Sequence, residues 1–495
     1  MLRLFSLVFA ILTLLHGSGH GDDRPNILWI IADDMSAHFS CYGETLIETP
    51  HVDRLAAEGA QFTKAFVTAP VCSTCRSALI TGMYQTSIGS HHHRSGRGEL
   101  KITLPEGIVP IPKLFQDAGY FTSINGWPTR PGKRGKTDYN FEWNESTYAG
   151  SHWSERAEGQ PFFHQVQIPG GKLRGGTTPQ TERYAQKIER EFGARTEASK
   201  VVLPPYYPDD PILRHDWAAY LDSVRETDRV VGEVVAELEE AGLLENTLVI
   251  FMTDHGISHA RGKQFLYEEG IHVPLVMAGP GVTPGTVRDD LVEHVDLAAL
   301  SLAAAQIQLP ETMQGRDILA SNYQAREAIF SARDRCDETV DHVRCVRTDR
   351  FKYIRNFLPQ RPHLMPCAYK DKKSIYITLR ELHAAGRLPE LSEEILFSPT
   401  RAPEELYDLE ADPFELNNLA EDPAFAETLA EMAARLEQWM VETNDLGRSP
   451  ESRTMYDSDM LPYTAKHRKP GGDARQLEVI ERNIALMLDW AAAGK

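Results

Sequence analysis

The chain has 495 residues, more than one hydrophobic core usually supports, which predicts a large domain with a smaller one beside it. With 52 basic against 71 acidic residues the net charge is −19, which excludes non-specific binding to nucleic acid or to anionic membranes. Hydrophobic residues at 42% and charged residues at 25% exclude a disordered or low-complexity chain.

Residues 1–21 read as a secretory signal, with Arg3 at the start, an apolar run from Leu4 to Leu15, and small residues at Gly17-Ser18-Gly19. That run is too short to span a bilayer and no later stretch is longer, so a secreted or periplasmic protein without stable membrane insertion is expected. Export permits disulfides. Six cysteines in this length are no disulfide scaffold, but Cys336 and Cys345 flank an expected turn and can bridge.

The first expected strand, Asn26 to Ala32, is continuously apolar, as in a parallel strand covered on both faces. It runs into Asp33-Asp34, two carboxylates at the strand end where open α/β sheets place their ligands, although a helix N-cap with a surface neighbour reads the same. Thr49-Pro50 opens a helix with Leu55, Ala56 and Gly59. In Val71 to Gly82, a helix opening at Cys72 places Arg76 one turn on, on the same face. A thiol there lies in a positive field, which lowers its pKa and favours anionic ligands, unless Cys72 and Cys75 are a buried structural pair. His91-His92-His93 cannot all face one ion; they read as lining a substrate pocket, with His91 and His93 as candidates, or else as a solvated loop or a partly buried hydrogen-bonding turn.

A helix from Ile111 to Tyr120 leads to a strand at Phe121 to Ile124, then to a basic loop carrying Lys136 and Asp138. Pro161 to Ile168 is a strand with His164 in its interior, followed by Gly170-Gly171-Lys172. The polar span 175–201 reads as an insertion near the site, and Pro211 to Ala241 as a long helix stopped by Gly242. Asp216, Asp222 and Asp228 on that helix are expected to be solvated or salt-bridged. Leu248 to Met252 repeats the buried-strand pattern and ends in Thr253-Asp254-His255-Gly256. Two strands delivering Asp-Asp and Asp-His to one edge build an oxygen-rich divalent site that suits Ca²⁺ or Mg²⁺ without excluding Mn²⁺ or Zn²⁺. His259 and Lys263 follow, then a linker over 315–324. Beyond it lie a hairpin about Thr348-Asp349, a helix from Pro423 to Glu442 and a terminal helix from Gln476 to Ala493.

These motifs, in this order, resemble the type I sulfatases of the alkaline-phosphatase-like superfamily. The activation motif of that family, Cys-x-Pro-Ser-Arg followed by Leu-Thr-Gly, is matched at Cys72, Arg76, Leu79, Thr81 and Gly82, with Thr74 and Cys75 replacing Pro (or Ala) and Ser. His259 to Val276 resembles the family's lysine-bearing segment, and Glu405 to Ala420 its C-terminal subdomain. The resemblance implies an α/β fold, a large mixed, mostly parallel sheet flanked by helices, with a C-terminal α+β subdomain containing an antiparallel sheet. The expected division is 22–320 catalytic, 321–446 C-terminal subdomain and 447–495 tail.

By the same resemblance Cys72 is converted to formylglycine by a formylglycine-generating enzyme, and one calcium ion is held by Asp33, Asp34, residue 72, Asp254 and His255. Arg76, Lys136 and Lys263 become catalytic, and His91, His93, Asp138, Lys172 and His259 are further candidates for substrate contact. The implied activity is hydrolysis of a sulfate ester or N-sulfate on a sulfated carbohydrate, nearest in arrangement to N-sulfoglucosamine sulfohydrolases and bacterial polysaccharide sulfatases. A phosphomonoester or phosphonate hydrolase on the same scaffold, or a glycan-binding protein without catalysis, would share much of this pattern. Oligomeric state is not readable from the sequence.

Overall fold

A computed structural model describes residues 24–130 and 132–495; the signal segment expected over residues 1–21 lies outside them. The large sheet has eight strands: β1 (Asn26–Ala32), β2 (Ala60–Phe66), β3 (Phe121–Gly126), β4 (Phe162–Ile168), β5 (Thr247–Thr253), β6 (His272–Ala278), β7 (Thr286–Arg288) and β8 (Val292–Glu293). They are ordered β3-β4-β1-β5-β6-β2-β7, with β8 pairing β2. The first four in that order are parallel, and β6 runs antiparallel to both its neighbours. The mixed, mostly parallel sheet expected from the continuous apolar runs is therefore present. β1 and β5 are buried at every residue because helices cover both faces.

The register decides where chemistry is possible. Ala32 stands between Ile168 and Thr253, and the ladder continues one step further, since Asp33 N–H donates to Ile168 O (3.0 Å) and Asp254 N–H to Ala32 O (2.9 Å). Asp33, Asp34 and Asp254 thus leave the same edge of the sheet side by side.

The helices of this part are α1 (Pro50–Glu58), α2 (Cys72–Thr81), α3 (Ile111–Asp117), α4 (Thr178–Phe192), α5 (Pro211–Glu240), α6 (Glu268–Ile271) and α7 (Asp296–Ala304). Buried at all ten residues, α2 ends where Gly82 takes φ +64 and its N–H returns to Ala78 O, a left-handed terminus that suits glycine. Within the span 175–201 lies α4, started by a capping box between Thr177 and Gln180. Asp222 and Asp228 are buried, not solvated, and Asp222 is salt-bridged to Arg225 (3.0 Å). Asp222 accepts from Thr196 N–H (3.0 Å), and Asp228 accepts from Val52 N–H (2.7 Å), satisfying the first turn of α1.

A second, antiparallel sheet contains β9 (Ile329–Arg333), β10 (Val343–Arg347), β11 (Phe351–Asn356) and β12 (Glu404–Asp408), ordered β12-β11-β10-β9. Alternation sorts its side chains. Cys345 and Ile354 join the core of the large sheet, while Val346, Tyr353 and Leu406 pack against Leu436 and Trp439 of α10 (Ala426–Glu442). The bridge between Cys336 and Cys345 does not form; both thiols are buried and free, Cys345 inside β10 and Cys336 in the loop after β9. Helices α8 (Ser374–Ala384) and α9 (Glu390–Phe397) precede β12.

The tail holds two helices, not one: α11 (Arg453–Arg468) and α12 (Ala474–Ala492). Their anchors are buried polar groups. Arg335 is bonded to Glu451 (2.6 Å) and Asp459 (2.6 Å), and Glu338 accepts from Asn483 Nδ2 (2.9 Å) and Tyr463 Oη (3.2 Å). No helix among the described residues is long and apolar enough to cross a membrane.

Candidate active site

Cys72 opens α2 behind Val71, which offers no side-chain cap, so the unpaired N–H groups of the first turn leave a partial positive charge at the thiol. Around its Sγ stand His255 Nε2 (3.1 Å), Lys263 Nζ (3.3 Å), Lys172 Nζ (3.6 Å) and Asp34 Oδ1 (3.9 Å). Burial alone pushes the thiol up, but Lys136, Lys172, Lys263 and His255 outweigh it and hold Cys72 well below the ordinary thiol range.

Arg76, one turn along α2, is buried and clasps the strand ends. Its Nε donates to Asp254 Oδ2 (3.1 Å), and its two terminal nitrogens bond Asp33 and Gln167. Asp33 is held a second time by Lys136 Nζ (3.1 Å) and a third by Lys172 Nζ (2.6 Å), while Asp34 takes Lys263 Nζ (3.0 Å). These cations hold Asp33 and Asp34 well below the usual carboxylate range against the opposing effect of burial. Asp254 behaves oppositely: burial, then the neighbouring Asp33, push it up to about 6.

Asp34, Cys72, Asp254 and His255 bring one ligand atom each within 4.8 Å of one another, all buried. Asp34 sits at φ +57, a left-handed conformation uncommon for a non-glycine residue though more accessible to aspartate than to most; its N–H donates to Asp254 Oδ1 (3.1 Å). Asp34 Oδ2 is buried with no hydrogen-bond partner, as expected of an oxygen reserved for a cation. With two carboxylates, an imidazole and residue 72, the donors present fit a hard divalent ion such as calcium. Asp33, the fifth expected ligand, lies outside that group of four and bonds Arg76, Lys136 and Lys172.

The other expected residues divide. Lys136 is 31% exposed and faces Asp33, with Asp138 behind it, 3.7 Å from Lys136 Nζ and paired with Arg97. His93 reaches only the neighbour of Cys72, its Nδ1 lying 2.7 Å from Ser73 Oγ. His91 is placed away from the thiol, its ring 4.2 Å from that of His92, in a group with Asp334. Successive residues of a turn point apart, so only one of the pair reaches this side. His259 does not touch Cys72 either: its Nε2 meets Asp216 and Arg174 (3.0 Å). Asp216 is therefore buried and ion-paired, and this pairing draws its carboxyl down although burial pushes it up.

Several residues of the site escape sequence reasoning. Gln167 of β4 orients Arg76 and is held by Gln165 (3.1 Å); two glutamines on one face of a buried central strand are the signal that could have found them. Tyr369 and Lys373 arrive from the stretch after β11, with no motif to announce them. Lys370 Nζ donates to Lys263 O (2.6 Å), Lys373 bonds Ser258 Oγ, and the ring of Tyr369 lies under Lys263 Nζ at 5.1 Å.

A parallel sheet that presents paired carboxylates, a helix N-terminus and convergent cations at one edge defines a hydrolase of oxyanion esters, of the alkaline-phosphatase-like type. A family model described as Sulfatase matches residues 25–307, more than half the chain, and the chain belongs to the sulfatase family and is a sulfuric ester hydrolase. A second model, N-sulphoglucosamine sulphohydrolase, C-terminal, matches residues 255–371.

An ulvan-active sulfatase of Formosa agariphila is 33% identical over 511 residues, covering 95% of this chain and 83% of that protein. The N-sulphoglucosamine sulphohydrolase of Homo sapiens is 27% identical over 476 residues, covering 85% and 91%. Among solved structures, one in complex with its substrate D-glucosamine-2-N,6-O-disulfate aligns with TM-score 0.58 at 19% identity, covering 85% of this chain and 98% of that one. A phosphonate monoester hydrolase from Silicibacter pomeroyi aligns with TM-score 0.57 at 18% identity, covering 85% and 96%. At these identities the two structures show the shared fold alone.

Proposed function

We propose that this sulfatase removes a sulfate group, as an O-ester or an N-sulfate, from a sulfated carbohydrate, with Cys72 matured to formylglycine beside one calcium ion, in an exported protein. The observation that carries the reading is the convergence of Arg76, Lys136, Lys172 and Lys263 on Cys72 and the strand-end carboxylates, in a chain whose net charge is −19. A carbohydrate substrate is supported by the 33% identity over 95% of the chain to a sulfatase named for activity on ulvan.

The roles follow from position. Arg76 fixes Asp33 and Asp254 and so the edge on which residue 72 works. Lys136 and Lys172 stand on the Asp33 side and Lys263 on the Asp34 side, so an anion between them is neutralised from both directions. Lys263, 3.3 Å from Sγ, holds a proton at Nζ where a leaving oxygen departs. Asp34, residue 72, Asp254 and His255, with Asp33 beside them, would hold the cation, which when bound supplies charge screening and Lewis-acid polarisation of the sulfate oxygens. Hydrated formylglycine supplies an oxygen nucleophile with a second hydroxyl, which a cysteine or serine lacks.

Peptide mass spectrometry of the Cys72-bearing fragment, after co-expression with a formylglycine-generating enzyme, tests the maturation. The expected result is loss of the thiol mass together with sulfate release from sulfated sugars. An intact thiol in a preparation that releases no sulfate would overturn the reading. The lowered Cys72 thiol favours one rival, in which a retained thiolate attacks a phosphonate monoester; turnover of that ester by the thiol form is its test.

A further inference from the structure

The cations of the site are not equally provided with anions. Arg76, Lys136, Lys172, Lys263 and Arg174 each have a carboxylate within 4.0 Å. Lys373 is 9% exposed and forms no ion pair among the described residues. Its Nζ donates to Ser258 Oγ and lies 4.6 Å from the centre of the Tyr369 ring. The same ring lies 5.1 Å from Lys263 Nζ, so Tyr369 joins the unpaired lysine to the lysine beside Cys72.

The placement of Lys373 is built. Its stem passes so close to Gly176 that a Cβ added there would meet Lys373 Cγ at 3.2 Å. Ser374 N–H donates to Gly176 O (2.8 Å), and Lys370 holds the carbonyl of Lys263 (2.6 Å). The turn 367–373 is thus fixed to both loops that carry the site's lysines, the one with Lys172 and the one with Lys263. Lys370, also without a carboxylate partner, faces a backbone carbonyl and two aromatic rings, which accounts for it. Lys373 has a hydroxyl in place of that carbonyl and one ring in place of two. Burying an ammonium without a counter-charge is unfavourable, and an anionic ligand relieves it.

We infer that Lys373 and Tyr369 are specificity-determining residues that bind a second anionic group, a carboxylate or another sulfate, on the sugar carrying the sulfate to be removed. The inference rests on the carbohydrate-sulfatase reading above. Lys373 supplies a charge-assisted hydrogen bond, and the Tyr369 ring holds Lys373 and Lys263 at a fixed separation, so the second anion is read at a set distance from the first.

The test is calorimetric binding to the protein expressed without the maturing enzyme, which keeps its thiol. Three probes are compared: a monosulfated neutral hexose, the same hexose with a second sulfate, and the same hexose linked to a uronic acid. The expected result is that at least one two-anion probe binds about tenfold more tightly than the first, the weight of one charge-assisted hydrogen bond. Which probe gains identifies the second anion as sulfate or carboxylate. Lys373→Met removes the gain, and Lys373→Arg keeps most of it, with the thermal midpoint of each variant confirming a folded protein. Equal binding of all three probes, an equal loss for all three in Lys373→Met, or no binding of any overturns the inference. Sulfate release by the matured enzyme is measured separately, so a failure of the sulfatase reading is distinguishable from a failure of this one.

Discussion

At the residue scale, Lys263 does the most with the least exposure. It is 3% exposed, 3.0 Å from Asp34 Oδ1 and 3.3 Å from Cys72 Sγ. Burial pushes its ammonium down, yet Asp34 and the Cys72 thiolate raise it well above the ordinary lysine range, so it is charged at neutral pH. On the role proposed for it, Lys263→Ala removes both that charge and the proton offered to the leaving oxygen. The expected loss in kcat is about 10²–10³-fold, the weight of one preorganised charge donor. Near-normal sulfate release by this variant would reject the assignment. Lys263 was legible in the sequence because a motif carries it, and so were Arg76 and the strand-end carboxylates. Tyr369 and Lys373 were not, because only the folded chain brings position 373 beside position 258.

At the scale of elements, the site depends on backbone approaching backbone. The turn after β4 lies on the end of β1: Gly171 N–H donates to Asp33 O (2.8 Å), and a Cβ added at Gly171 would meet Asp34 O at 2.2 Å. Gly171→Ala must push Asp34 off its position. We expect calcium affinity, read by titration, to fall about tenfold or more, as for other residues that position ligands. Affinity equal to that of the unaltered protein would show that the turn does not hold Asp34.

A second element, the tail, carries a pH dependence. Burial, then Asp337, push the Glu338 carboxyl up to about 7, and Asn483, Tyr463 and the Ala368 N–H bond it between the sheet and the two tail helices. Because its folded value lies above its unfolded one, the stability it contributes is full below about 4.5 and is lost as pH rises through about 7. Amide exchange across 453–492, corrected for the intrinsic rate, should therefore quicken from pH 6 to pH 8, and Glu338→Gln should abolish the change. An exchange rate that ignores pH would reject this. Of the tail, α12 was legible from its apolar spacing. α11 was not, since Pro462 interrupts it and its buried face is partly Ser458 and Asp459 rather than an apolar stripe.

At the scale of the whole molecule, residues 33 to 373 meet at one sheet edge because four parallel strands end there together. The order of the motifs along the chain made the large sheet and its ligands readable, since each motif follows an apolar run. Which carboxylates would share a cation was less so. Asp33 and Asp34 are adjacent in sequence, and only the packed chain shows Arg76 and Lys136 bonded to the first and Lys263 to the second.

The consequence is thermodynamic. The four clustered donors converge only in the folded chain, drawn from β1, α2 and the end of β5, so the calcium ion proposed for them would bind the native state and not the unfolded one. Calcium at about a hundred times its dissociation constant should stabilise the protein by about 2.7 kcal/mol. Scanning calorimetry of chelator-treated protein should thus show a midpoint that climbs with added Ca²⁺. The rise should be smaller with Mg²⁺, which demands a tighter octahedral shell than two carboxylates, an imidazole and residue 72 readily form. Asp34→Asn, which replaces the unpartnered Oδ2 or its twin with an amide, should flatten the climb while leaving the metal-free midpoint within a few degrees. A midpoint indifferent to Ca²⁺, with no calcium retained after dialysis, would mean that Lys172 and Lys263 serve as the permanent counter-charges of this edge. Lysines that stay bound to the carboxylates cannot also turn toward a sulfate, so the same measurement decides whether those two are free to act on substrate.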